Sequence, residues 1–281
     1  MSGESGPWPD YKLSAEQRAL MSNAIEQFAA MSSMEPESRI QRTLATMNCL
    51  ACHRRNDVGG VSADRDAFFQ SDDLNLGPQG RLPPTLSNVG AKLKPKWLRH
   101  VLVQGGGSRS YVKTRMPQFG AANVEHLVEL FAVADKSMSS SSPQWPDERE
   151  AKKTGHELAG RAGLNCVACH SFQQKRGGSM SAVDLTEMSD RLQKGWFEAY
   201  MQNPQSLSPR TVMPSFWPGG KAIRPEILDG NRELQIDALW RYLEDGRQAR
   251  TPDGLIRKPL RLVAGDEAVM LRRSYPNIGK R

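Results

Sequence analysis

The 281-residue chain is short of several things, and each shortage excludes something. No run approaches ~18 apolar residues, so no segment reads as a membrane span. Met1 to Tyr11 is rich in Gly and Pro and is followed by no apolar stretch, so no secretory signal is visible. Aromatic residues are only 7% and hydrophobic residues 38%, with a mean hydropathy of −0.58. That composition is globular but lightly cored, and a unit of about 100 residues has a thin core by itself. The length suggests about two domains. A formal charge of +7 is a mild positive bias and no argument for nucleic acid. Cysteine is scarce too, at four residues.

All four cysteines fall in two copies of one pattern, Cys49-Leu50-Ala51-Cys52-His53 and Cys166-Val167-Ala168-Cys169-His170. None is left for a disulfide. Two Cys-x-x-Cys pairs can build a structural zinc site, but such sites close over ~15–20 residues between pairs, and here 113 residues separate Cys52 from Cys166. A dithiol redox motif needs a βαβ setting, and neither copy has flanking strands. Neither alternative requires a histidine after the second cysteine. Cys-x-x-Cys-His is the signature of covalent c-type haem attachment. Its two thiols add to the vinyl groups on one edge of a porphyrin, and the imidazole supplies the proximal iron ligand. The expectation is two covalently bound c-type haems, on Cys49, Cys52 and His53 and on Cys166, Cys169 and His170. With propionates ionised, the loaded ferric chain would carry about +5. Haem attachment of this kind takes place outside the bacterial cytoplasm. The chain is therefore expected to be a mature form or segment of an exported, periplasmic-type precursor.

In order, Ser14 and Gln17 form a capping box before a helix with Leu20, Ala24 and Phe28 on one face. Pro36 opens a second helix, carrying Ile40, Leu44 and Met47, that runs into the first motif. A Gly/Pro-rich connection follows, through Leu76 to Pro84. Helices are expected around Trp97 and from about Val124 to Ala134. Ser137 to Pro146 reads as a linker. Thr154 and Glu157 suggest another capping box, a helix follows around Trp196, and Asn231 caps the last helix, which Gly246 stops. The halves repeat. Leu86 and Leu185 each stand eleven residues before Trp97 and Trp196, and each half then has a Met-Pro-x-Phe segment, at Met116 and Met213. This divides the chain into a helical extension (1–36), a first domain (37–136), a linker (137–152), a second domain (153–250) and a tail (251–281). In the tail, Leu260 to Val263 and Ala268 to Leu271 read as a β-hairpin.

The sixth iron position separates a carrier from an enzyme. A thioether there raises the potential and closes the site to small molecules. Met116 and Met213 sit in loops before the closing helices, each kept out of a helix by its proline. A lone methionine usually fills core space; a repeated Met-Pro after a repeated haem motif is expected to be a ligand. His100, His126 and His156 are rival ligands but default to helix packing. Each proximal histidine should donate its other N–H to a carbonyl, from Pro83-Pro84 in the first half and Ala182-Val183 in the second. Trp97, Trp196 and Arg115 are candidates to contact propionates. The cluster Lys92, Lys94, Lys96 and Arg99 reads as a solvated helix face.

On these residues, roughly Glu37 to Gly246 resembles tandem class I cytochrome c domains. More narrowly, Gly80-Arg81-Leu82-Pro83-Pro84, Thr114-Arg115-Met116-Pro117 and Pro214-Ser215-Phe216-Trp217-Pro218 resemble dihaem modules of large secreted planctomycete-type proteins. The resemblance implies an all-α fold of two small helical domains, each around one haem; the short β-like tail, read from its own pattern, does not fit a cytochrome. It assigns Cys49, Cys52, Cys166 and Cys169 to thioether links, His53 and His170 to proximal ligation, and Met116 and Met213 to distal ligation. Val212 departs from the Arg-Met-Pro form of the first half. The function expected is single-electron transfer with no catalytic residue, to a redox partner protein or a fused dehydrogenase domain. The alternative is a peroxidase-like dihaem enzyme whose long first loop supplies a carboxylate such as Asp66 or Asp72. A third reading, a thiol or interaction protein without haem, predicts a colourless preparation.

Overall fold

The computed structural model describes residues 11–30 and 34–255. Among these, about half are helical and strand is confined to one short antiparallel pair, Arg54–Arg55 with Val58–Gly59. Among the described residues, no helix is long and apolar enough to cross a membrane. The hairpin expected between Leu260 and Leu271 lies outside the described residues.

The capping box forms as the sequence predicts: Ser14 N–H donates to Gln17 Oε1 and Gln17 N–H to Ser14 Oγ, at 2.9 and 3.1 Å. The helix that follows, Ala15–Ala30, leaves Leu20, Met21, Ile25 and Phe28 exposed.

The first core begins with the helix Pro36–Thr46, where proline at the first turn loses no needed N–H. Ile40 and Leu44, one turn apart, are buried against Leu127, Leu130 and Phe131 of the helix Leu127–Ala134, with Leu98 and Leu102 of Pro95–Gln104 closing the cluster. Arg55 fixes the frame. It is buried, bonded to Glu37 at 2.6 Å, Asp135 at 2.9 Å and the Leu86 carbonyl at 2.8 Å. One side chain thereby ties the first helix, the loop after the motif and the last helix together.

A second, separate core surrounds the crossing of Glu148–Ala159 and Arg232–Leu243. Gly155 permits the crossing: a Cβ there would stand 2.1 Å from the Ala238 carbonyl oxygen. Asn231 caps the second of these helices through the Leu234 N–H. The first helix starts earlier than Thr154 suggests. Asp147 accepts from the Arg149 N–H and caps it, so Thr154 and Glu157 lie inside the helix rather than at its start. An acidic cap seven residues upstream outcompetes the Thr-x-x-Glu pattern, since a capping box needs its first residue outside the helix. The Ser/Pro-rich stretch is also held: Ser141 N–H donates to Glu198, and Trp145 Nε1–H to Asp237 Oδ2, both at 2.8 Å.

The two cores meet along a seam with a local two-fold pattern. Leu93 and Leu192 pair antiparallel, with Lys94 N–H donating to Arg191 O at 2.8 Å and Gln193 N–H to Lys92 O at 2.9 Å. These residues stand at one offset, 99 positions, which also relates Leu86 to Leu185 and Trp97 to Trp196. Equivalent segments of the repeat therefore face each other. Bonds from Gln79 to Ser208 at 3.0 Å and from Ser181 N–H to Asp73 at 2.6 Å extend the seam.

Candidate cofactor site

Both Cys-x-x-Cys-His copies are single 3₁₀ turns, Cys49–Ala51 and Cys166–Ala168, closed by the histidine N–H donating to the first cysteine's carbonyl at 2.8 and 2.9 Å. In a 3₁₀ turn residues three apart eclipse, so the two thiols of each copy lie on one side. Asn48 and Asn165 precede the turns with φ of +52° and +56°. Asn enters this left-handed region more readily than most residues. An Asn-Cys start in both copies was a readable sign of this entry turn. Behind the first copy, Gly59 has a φ of +79°, and a Cβ there would lie 2.7 Å from the His53 carbonyl oxygen, so the short hairpin packs directly on the motif.

Each histidine is held by its inner nitrogen. His53 Nδ1 is 2.8 Å from Pro84 O and His170 Nδ1 is 2.9 Å from Val183 O, in the two segments expected to supply these carbonyls. A carbonyl only accepts, so Nδ1 carries the proton and Nε2 keeps its lone pair. Burial pushes both imidazoles below their usual range, against the raising effect of these same bonds. Both are neutral near pH 7. The thiols are half-buried and unjoined, and burial pushes Cys166 up to about 12 and raises Cys49 and Cys169. Unpolarised thiols of this kind are poor thiolate nucleophiles or redox centres. Among the described residues, no three His, Cys, Asp or Glu side chains converge as a metal site of their own.

A cavity of about 890 Å³ opens at the seam, near the top of the ~300–1,000 Å³ range for pockets that take sizeable ligands. Cys166, Cys169, His170 and Met213 all line it, with Trp196, Phe197, Tyr200 and Phe216 as its aromatic wall. From the first half Cys52, Pro83 and Pro84 reach it. Met116 and Cys49, like Leu86 and Phe119, pack against the edge of the first core. In the second half the cavity thus gathers every residue expected there; in the first, Met116 and Cys49 share a core cluster. No protein-family model matches the chain, and no curated protein or solved structure does.

Other candidates fall elsewhere. His100 bonds Gln104 at 2.7 Å, His126 bonds Thr43 at 3.0 Å and His156 bonds the Thr251 carbonyl at 3.0 Å. Asp66 is paired with Arg81 at 2.7 Å and Asp72 with Lys113 at 3.2 Å. Arg115 is exposed, donating to the Ser110 carbonyl at 3.3 Å. Lys94, Lys96 and Arg99 are solvated, as expected, but Lys92 is not. It ends a separate short helix, Val89–Lys92, and turns inward to the cavity, with its Nζ 4.6 Å from the Trp196 ring centroid. Arg109 and Arg191 line the same cavity; nothing in the sequence pattern marked either. The arrangement suits a large, flat, apolar group with anionic substituents, tethered through thiols and ligated through imidazole Nε2.

Proposed function

We propose that this chain is a dihaem c-type cytochrome module that carries single electrons between redox partners. One observation carries the reading most: two same-side thiols, a neutral imidazole and a thioether line a single cavity in the second half. On this reading Cys49 and Cys52 tether one haem and Cys166 and Cys169 the other. His53 and Met116 would hold the iron of the first haem, and His170 and Met213 that of the second. Haem supplies reversible one-electron exchange at its iron.

The chain's own residues supply the rest. The Pro84 and Val183 carbonyls fix ring orientation and tautomer and raise the basicity of the ligating nitrogen. The aromatic wall around Trp196 and Phe197 excludes water, which disfavours the site state with more net charge. A thioether ligand favours ferrous iron and leaves no open position for substrate. No side chain is asked to make or break a bond, and Asp66 and Asp72, the carboxylates considered for peroxide chemistry, are occupied by Arg81 and Lys113. The electron donor and acceptor would be a redox protein or a fused dehydrogenase domain, in an exported setting. The test is redox titration with optical spectra of Met116→Ala and Met213→Ala. Each should lower one of two potentials and admit carbon monoxide at that haem. Unchanged potentials, or carbon monoxide binding to the unaltered chain, would favour an enzyme.

A further inference from the structure

Of the cations lining the cavity without an ion pair among the described residues, Arg210 is exposed, and Lys92, Arg109 and Arg191 are half-buried. Lys92 and Arg191 belong to facing positions of the two-fold seam, and each lies across it over the other half's tryptophan. Lys92 Nζ stands 4.6 Å from the Trp196 ring centroid, and Arg191 Cζ stands 6.0 Å from that of Trp97. Arg109 donates to the carbonyls of Leu82, at 3.2 Å, and Gln79, and its guanidinium lies 5.9 Å from the Tyr111 ring centroid. None of the three forms an ion pair among the described residues. Glu187 acts on Arg191 only through its field. Two carboxylates line the cavity: Asp57 is paired with Arg54, and Asp184 is taken up by Thr186, Ser171, Gln173 and Gln174.

Buried cations without counter-charge are costly, and like charges add to the cost. Here burial, then Arg191 and Arg109, push the Lys92 ammonium down to about 7. Arg191 is lowered by burial first, with Arg109 adding to it. The charges interact across the two halves, Arg191 with Lys92 and Arg109 with Arg191, while Arg109 acts on His53 and Arg191 on His170 each within its own half. Three converging donors in an apolar-walled cavity form a receptor for carboxylates, where charge-assisted bonds are strongest.

We infer that Lys92, Arg109 and Arg191 form one shared anion receptor at the seam, which pairs with the propionate carboxylates of both haems. The inference rests on the dihaem reading. Its consequence is electrostatic coupling: each cation stabilises the electron on both irons, so its loss is felt in both halves. Lys92 and Arg191 are therefore positioning and tuning residues, with no part in ligation.

The test is spectroelectrochemical titration of the full haem-loaded chain carrying Lys92→Gln or Arg191→Gln, with Lys92→Arg and Arg191→Lys as charge-keeping controls. Each Gln variant should lower both midpoint potentials. The larger shift should approach tenfold in the reduction equilibrium, ~59 mV for a one-electron couple, and the charge-keeping variants should restore most of it. A Gln variant that shifts one potential alone makes the cations private to each half and overturns the shared receptor. No shift in either overturns it as well. In both cases two haems with unaltered ligand spectra would leave the cytochrome reading standing. A wild-type chain that takes up no covalent haem would overturn both.

Discussion

Blocking attachment in the second half, with Cys166→Ala and Cys169→Ala together, should cost that half its cooperative fold. At ~24 cal/mol per Å³, a dry void of the cavity's roughly 890 Å³ would cost ~20 kcal/mol. The cavity has an open mouth and cationic lining, so water would relieve much of this. Yet a quarter of it, ~5 kcal/mol, already matches the lower end of the ~5–15 kcal/mol that holds a domain together. For a unit of about 100 residues, ~5 kcal/mol corresponds to a fall of ~20–40 °C in Tm. Trp196, Trp217 and Trp240 are all buried in this core, so they report on it directly. Near-ultraviolet circular dichroism should flatten and tryptophan emission should move to the red. The thermal transition of the second half should broaden or vanish, while one covalent group remains on the first motif. A sharp transition within a few degrees of the unaltered chain, with emission still blue-shifted, would refute the reasoning. The cavity would then not be a cofactor cradle.

Two further outcomes test the frame. Gly155→Ala forces a Cβ to 2.1 Å from the Ala238 carbonyl and 2.6 Å from Tyr242 Cβ; it should cost ~1–3 kcal/mol by overpacking, read as a lower Tm despite alanine's better helix propensity. Asp237 is fully buried among Lys194 at 2.7 Å, Arg241 at 2.6 Å and Trp145 at 2.8 Å. Burial works to raise its pKa, but these bonds outweigh it and hold the carboxyl below its ordinary value. Its stabilisation is therefore present above the ordinary carboxyl range and lost as pH falls through the depressed pKa. Asp237→Asn should lower stability near pH 7, by up to ~3 kcal/mol, and lessen the loss on acidification. Denaturant melts of both chains at pH 7 and pH 3 check it.

Local signals in the sequence translated well where one short segment decides the outcome. The Ser14–Gln17 box, Pro36 at a helix start and the Asn231 cap each need only neighbouring residues. The carbonyl partners of His53 and His170 were readable because few backbone segments could return to each motif. Where two local patterns compete, the reading failed: Asp147 caps the helix that Thr154 and Glu157 seemed to open. Tertiary placement was out of reach. Lys92, three exposed basic neighbours and a helical register argued for a solvated face, but a break at Leu93 ends its helix and turns the side chain inward. Arg109 and Arg191 become visible as a cluster only when the seam joins positions far apart in the chain. Arg55, whose three partners come from positions 37, 86 and 135, is the same kind of case.

The most direct measurement is the intact mass and haem stoichiometry of the denatured chain, produced in a host able to attach c-type haem. The account predicts two covalently bound haems per chain, falling to one when either Cys-x-x-Cys pair is replaced by alanine. A colourless chain at its unmodified mass, with four titratable thiols, would contradict it.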